Sequence, residues 1–547
     1  MSYKKIEPTG SAFQYQLLIK NILTNPLRTS PDQLIVYQDK VRITYREFGK
    51  RIHRLANMLC NSGVKPGDTV AIMDYDSHRY LECFFAVPML GAVLHTINVK
   101  LSPEQILFTM GHAEDDVLLI HSDFTPLLTH IKGRIDGIRQ YILLNDSDTL
   151  PETQLDFTGE YEAMLAASSD RFDFPDFDEN TIATTFYTTG TTGQPKGVYF
   201  SHRQLVLHTL SVMSAFNIRQ GQGSFHNRDV YMPITPMFHV HAWGLPYIAT
   251  LMGVKQVYPG RYIPDHLLEL IDREKVTFSH CVATLLHMLL KSPKAQTMDL
   301  SKWKVVVGGG PLSKALCLMA LSKGIDVFGG YGLSETCPVL SLAQLKPGME
   351  QWSLEQQVEI RCKTGIAIPF VELEIVDEHM QAVPHDGKTS GEIVVRAPWL
   401  TQGYLKDAKS SEKLWAGGYL HTNDRAYIDE QAYLKITDRT KDVIKIGGEW
   451  VSSLELEDML TNHHAVSEAA VIGTPDDKWG ERPLALIVLK SGQQLTEKDI
   501  LHHMKDYMDK GQIGKQVLLI QARFVDAIEK TSVGKVNKIA LRLKYIG

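Results

Sequence analysis

The chain has little of what would mark it for a membrane, for nucleic acid or for an oxidising compartment. Its 547 residues include only six cysteines, Cys60, Cys83, Cys281, Cys317, Cys337 and Cys362, with no C-x-x-C spacing. That pattern excludes a zinc ribbon and a disulfide framework and predicts reduced thiols. The formal net charge of −6 is small for this length, and no basic block is present. No nucleic-acid partner is therefore expected, nor attraction to an anionic membrane surface. No apolar run reaches the roughly 20 residues a spanning helix needs. The most hydrophobic stretch, residues 83–99, is broken by Pro88, Gly91, His95 and Asn98 and reads as buried core. MSYKKIEPTGSAF at the start carries two lysines without an apolar segment behind them. A secretory leader is not expected, and a cytoplasmic location is. His239-Val-His241 lacks a third ligand at supporting spacing, so a zinc site is not expected either.

What is present points to two to four folding units of layered α/β type. Thr44-x-x-Glu47 is a capping-box pattern, followed by Phe48, Ile52, Leu55 and Leu59 at helical spacing. Short apolar runs at 69–73, 116–121, 254–258 and 304–307 alternate with helical stretches, the pattern of largely parallel sheets covered by helices. From about 365 to 438 the texture changes to short alternating runs separated by Gly, Pro and Asp, which predicts a small β-rich subdomain. Asp438-Arg-Thr-Lys441 then reads as a boundary between a domain of residues 1–438 and a self-contained α+β domain of residues 439–547.

Residues 187–197, YTTGTTGQPKG, follow a strand-like run and hold three glycines and five hydroxyl-bearing side chains. Gly190, Gly193 and Gly197 allow successive N–H groups to face one anion, Thr188, Thr189, Thr191 and Thr192 add hydroxyl donors, and Lys196 adds a fixed charge. The loop suits a polyphosphate. It lacks the Walker spacing, since Lys196 precedes its glycine and Val198 follows. Residues 329–336, GGYGLSET, set an aromatic side chain suited to a purine two positions after Gly329 and a hard oxygen ligand suited to Mg²⁺ at Glu335. Thr422-Asn423-Asp424 offers a carboxylate to ribose hydroxyls, Arg439 sits at the domain boundary, and Lys530-Thr-Ser-Val-Gly-Lys535 ends on a lysine in a glycine-containing turn.

In their order and spacing these segments resemble the adenylate-forming superfamily of acyl-CoA synthetases, adenylation domains and luciferases, across nearly the whole chain. PMFHVHAWGLPY at 236–247 is most similar to the fatty-acyl-CoA synthetases. The resemblance implies ATP, Mg²⁺ and coenzyme A as cosubstrates and cofactor, and a two-step reaction: a carboxylic acid becomes an acyl-adenylate with release of pyrophosphate, and the thiol of coenzyme A then displaces AMP. It implies catalytic roles for Lys535, Glu335 and His239, and a metal held by Thr188 and Glu335. The nucleotide would be held by residues 188–193 and Lys196, by Gly309, Gly330, Tyr331, Gly332, Ser334 and Thr336, and by Asp424 and Arg439. His239, Trp243, Gly308, Gly310 and Gly332 would line the acyl pocket, with Trp243 closing it. Lys441 would be the hinge of a mobile C-terminal domain, and Lys445, Gly447, Gly448, Glu449 and Trp450 would line the coenzyme A channel.

A medium- or long-chain fatty acid is the expected substrate. An aromatic or short thioether acid, a luciferase-type oxidation, transfer to a carrier protein and a silent adenylate-binding protein are the alternatives. Homodimerisation is expected by analogy alone. Two departures are visible: Asn423 replaces the family's glycine, and Glu529 stands where proline is common.

Overall fold

The computed structural model describes residues 3–147, 149, 156–188, 194–218, 223–447, 449–531 and 534–546, with Trp450 described in its backbone only. Thr44 caps the helix Tyr45–Asn61 through a bond from the Glu47 N–H at 3.2 Å, and Phe48, Ile52, Leu55 and Leu59 form its buried face. The run at 69–73 is a strand buried along its whole length, Thr69–Met73. Such a strand must be covered on both faces, as a parallel sheet packed between helices requires.

Among the described residues, two large sheets form the main body. One has seven strands ordered Gly159–Glu160, Gln140–Leu144, Asp115–His121, Thr69–Met73, Val93–Thr96, Ile182–Thr188 and Lys196–Ser201, parallel except for the last pair. The other has nine strands. Its middle is parallel, through Asp326–Gly332, Lys304–Val307, Phe278–Cys281, Val230–Ile234, Lys255–Tyr258 and Leu34–Tyr37. Four antiparallel strands, Glu372–Val376, Gly391–Arg396, Leu420–Ile428 and Leu434–Arg439, make the β-rich subdomain.

The C-terminal part has its own five-stranded sheet and its own apolar core around Val471, Ile487 and Ile500. The hairpin Ile444–Ile446 and Glu449–Val451 forms one edge, joined to Gly480–Leu489, Val466–Asp476 and Gln521–Phe524. The helix Ser453–Thr461 opens on Ser452, whose hydroxyl oxygen accepts the Glu455 N–H at 3.0 Å. The fold is the mixed α/β architecture expected, with a large parallel-sheet N-terminal domain, a β-rich subdomain and a smaller C-terminal domain.

Candidate active site

The carboxyl ends of parallel strands are where open α/β sheets bind ligands, and the chain concentrates its singular residues there. Leaving the strand that ends at Ile234, residues 236–239 turn back on themselves, with the His239 N–H bonded to Pro236 O at 2.9 Å. Met237 N–H donates to buried Asp76 at 2.8 Å, and the Thr96 hydroxyl donates to Phe238 O at 3.1 Å, so the ends of the seven-stranded sheet pin this turn. Burial and the nearby Lys535 and Lys100 ammonium groups bring the His239 imidazole down to about 3. It is neutral at physiological pH and offers a hydrogen bond, not a charge.

Beyond it the backbone makes a left-handed turn, with φ of 48° at Val240, 54° at His241, 46° at Ala242, 60° at Trp243 and 73° at Gly244. The turn delivers the Trp243 ring onto Gly308, where any Cβ would lie 2.8 Å from the indole. His280 packs against the indole, its ring centroid 4.9 Å away. Trp243 retains only 7% of its exposure.

The glycines singled out in the sequence have different reasons. Gly309, at φ 73°, passes under Lys535, whose Cε would lie 3.0 Å from an added Cβ. Gly310 opens onto free space. Gly330 packs against Val306 and Leu342 inside the fold. Gly332, expected to leave room in the acyl pocket, has a packing reason for its size as well: a Cβ there would sit 1.7 Å from the Pro338 carbonyl oxygen. Thr336 likewise turns inward. Its hydroxyl oxygen accepts the Leu333 N–H at 2.9 Å and the hydroxyl donates to backbone carbonyls, including that of Pro338, so it braces the turn that presents Ser334 and Glu335.

Asp424 and Arg439 face each other in the antiparallel register of their strands, with Arg439 Nε 3.4 Å from Asp424 Oδ1. The Tyr331 hydroxyl donates to Asp424 Oδ2 at 2.8 Å, which fixes both the ring and the carboxylate. Asn423 occupies the left-handed region at φ 58°, the conformation the replaced glycine would supply, so the turn survives the substitution. Burial pushes the Asp424 carboxyl above its ordinary range despite Arg439 and Tyr331.

Lys535 reaches this cluster from the C-terminal domain. Its turn is closed by Thr531 N–H to Lys535 O at 2.6 Å and Gly534 N–H to Thr531 O at 2.9 Å. A Cβ on Gly534 would lie 3.3 Å from the Thr284 hydroxyl, so the turn rests directly on the N-terminal domain. Burial, then Arg439, lowers the Lys535 ammonium to about 8, with Asp424 and Glu335 opposing the fall. Glu529, in place of proline, accepts the Asn537 N–H at 2.8 Å and pairs with Lys544 without opening the turn.

On the other flank, Lys196 stands opposite Thr188 in the antiparallel pair that frames the glycine-rich loop. Thr189, Gly190, Thr191, Thr192 and Gly193 lie outside the described residues, as does Gly448. Thr188 and Glu335 are hard oxygen donors, and among the described residues no group of three His, Cys, Asp or Glu side chains converges on a metal position. So small a protein donor set fits Mg²⁺ carried largely by phosphate oxygens and water. Gly447, at φ 59°, has Trp479 stacked where its side chain would be, 3.1 Å away, and its hairpin belongs to the C-terminal sheet. Arg542 donates to the Lys441 carbonyl at 3.3 Å beside the boundary.

Sequence reading did not single out Tyr404, Thr401 or Ser410. Tyr404 donates its hydroxyl to Glu335 Oε1 at 2.8 Å, Thr401 N–H donates to Glu335 O at 3.0 Å, and the Lys196 ammonium donates to Ser410 Oγ at 2.9 Å. A glycine-aromatic pair, Gly403-Tyr404, is the only local signal they leave.

A threonine–lysine pair flanking a glycine-rich segment, a carboxylate–arginine pair and a lysine inserted from a second domain are an arrangement suited to a nucleotide-dependent, acid-activating enzyme. The family comparison agrees: residues 23–405 match the AMP-binding enzyme model and residues 455–535 its C-terminal domain, and the chain belongs to the AMP-binding enzyme family. It is an AMP-forming acid–thiol ligase, a class that uses ATP, Mg²⁺ and coenzyme A. A long-chain-fatty-acid–CoA ligase of Thermus thermophilus is 41% identical over 509 residues, covering 92% of this chain and 90% of that protein. A 3-methylmercaptopropionyl-CoA ligase of Ruegeria pomeroyi is 35% identical over 495 residues, 90% of each chain. The ATP-bound crystal structure of MatB from Rhodopseudomonas palustris shares the fold with a TM-score of 0.83 at 24% identity, over 97% of this chain and 99% of that one. No helix among the described residues is long and apolar enough to cross a membrane.

Proposed function

We infer that the enzyme activates a medium- or long-chain fatty acid to its coenzyme A thioester through an acyl-adenylate. The observation that carries the reading is the Lys535 ammonium, brought onto Gly309 within the field of Asp424, Arg439 and Glu335. The acid needs no base, because a carboxyl with an ordinary pKa of about 4 is already ionised at neutral pH. What must be overcome is repulsion between that carboxylate and the α-phosphate of ATP. Lys535 meets both anions as charge develops between them, Arg439 and Asp424 hold the ribose side, Tyr331 stacks on the purine, and Lys196 and Thr188 address the outer phosphates. Glu335 and Thr188 would hold Mg²⁺, which would supply Lewis-acid charge neutralisation. His239 orients the carboxylate as a neutral donor. In the second step the C-terminal domain turns about Lys441, withdrawing Lys535 and bringing the hairpin of Lys445, Gly447, Gly448, Glu449 and Trp450 to the thiol.

The fatty-acid assignment is supported by Trp243 lying over Gly308, where a gate to an acyl pocket would stand, and by the similarity to the Thermus ligase. The similarity to the methylmercaptopropionyl-CoA ligase favours a second reading, a short thioether acid. The test is AMP release with ATP, Mg²⁺ and acids of graded chain length plus a short thioether and an aromatic acid, with and without coenzyme A. Turnover that rises with alkyl length and requires coenzyme A is the expected result. Turnover confined to the thioether acid replaces the substrate reading, and AMP release indifferent to coenzyme A rejects the thioester step.

A further inference from the structure

Tyr404 touches two opposite charges. Its hydroxyl donates to Glu335 Oε1 at 2.8 Å, and the Lys196 ammonium sits over its ring, 4.5 Å from the centroid. The same segment is stitched to both neighbours by backbone. Tyr404 pairs with Val198 in a β-bridge, Leu405 N–H donates to Gly197 O at 2.9 Å, and Thr401 N–H donates to Glu335 O at 3.0 Å. The phosphate-loop strand and the Glu335 turn are thus held to one another through residues 401–405.

We propose that Tyr404 is a positioning residue for the metal ligand Glu335, aiming its carboxylate by the hydroxyl bond and insulating it from Lys196 by the ring. The proposal rests on the reading of Glu335 as the Mg²⁺ ligand. The chemistry is that of an outer partner which orients a ligand: one carboxylate oxygen is occupied by a neutral donor, so its twin is fixed in direction while the group keeps its full charge. The cation–π contact gives Lys196 a place to rest that is not Glu335. Ser410 Oγ, 2.9 Å from the Lys196 ammonium, holds it there. Without the ring, the ammonium would lose this resting place and be freer to turn toward the carboxylate, and the metal would have to compete with a lysine for its ligand.

Two substitutions separate the two functions. Y404F keeps the ring and loses the hydroxyl, and Y404L loses both. The readout is retention of Mn²⁺ by the full-length enzyme with α,β-methylene-ATP, which cannot be cleaved to AMP, followed through the free Mn²⁺ electron-spin-resonance signal. Thermal unfolding of each variant is recorded alongside. Y404F is expected to weaken Mn²⁺ retention about 10-fold, the order found when a ligand-orienting partner is lost, and Y404L further. In an E335Q background, Y404F should change nothing more. Unaltered Mn²⁺ retention in Y404F overturns the proposal, as does an equal loss with or without Glu335. A lowered unfolding temperature with Mn²⁺ retention intact marks a merely structural tyrosine and also overturns it. If E335Q itself retains Mn²⁺ like the parent, the metal assignment of Glu335 fails first and takes this proposal with it.

Discussion

Lys535 owes its chemistry to where its turn is docked. In water a lysine ammonium is fully protonated at neutral pH, but burial beside Arg439 lowers this one to about 8. The sign follows: the charged form that the proposed role in adenylation requires is complete well below pH 8 and is lost as pH rises through that value. For the ATP–pyrophosphate exchange reaction, kcat/KM, which reports the free enzyme, should be flat near pH 7 and fall toward tenfold per pH unit above about 8. Lys535→Ala should lower that exchange by on the order of 10² to 10³, as expected for a group acting on developing charge. ATP binding measured by calorimetry should be affected far less. An alkaline limb that persists unchanged in Lys535→Arg would assign the titration to another group.

Among the elements, the strand Asp326–Gly332 and its return at Val339–Leu342 are set by a contact no side chain could survive. An added Cβ at Gly332 would overlap the Pro338 carbonyl oxygen at 1.7 Å, with backbone on both sides of the clash. Gly332→Ala should therefore destabilise the fold by about 3 kcal/mol, in the upper range for single substitutions, measured as a shift of the urea midpoint. A loss under about 1 kcal/mol would show that the turn relaxes. The left-handed turn at 240–244 is another local choice made by its surroundings. Each L-residue there costs roughly 1 to 2 kcal/mol in backbone conformation, which packing around it must offset. His241 supplies part of that packing, wedged between the rings of Phe84, Phe186 and Phe200.

For the whole molecule, the C-terminal domain is placed with Lys535 over Gly309 and in the field of Asp424, Arg439 and Glu335, the orientation that the proposed adenylation step requires. The two half-reactions should then separate by substitution. With acyl-adenylate supplied, Lys535→Ala should form thioester at near the parent rate. Gly447→Leu should lose it, since a side chain at φ 59° meets the indole of Trp479. Ser452 and Ser453 anchor the present orientation: Ser452 donates to the Thr437 carbonyl, and Ser453 N–H donates to buried Asp438 at 2.6 Å. Equal loss of both half-reactions in both variants would reject rotation about Lys441.

Local patterns in the sequence were enough to place the helix at 45–61, the strands at 69–73 and 304–307 and the antiparallel run before 438, and they singled out Glu335, Asp424 and Lys535 as candidates. Periodicity, caps and glycine spacing act within a few residues and leave a mark on the chain itself. Tyr404 left only the pair Gly403-Tyr404, and neither the backbone contact at Gly332 nor the inward turn of Thr336 left any mark. Each depends on what lies opposite: a strand two hundred residues earlier for Tyr404, a carbonyl six residues on for Gly332. Which side chains a position meets, and so whether it binds, braces or insulates, is decided only when packing brings distant segments to contact distance.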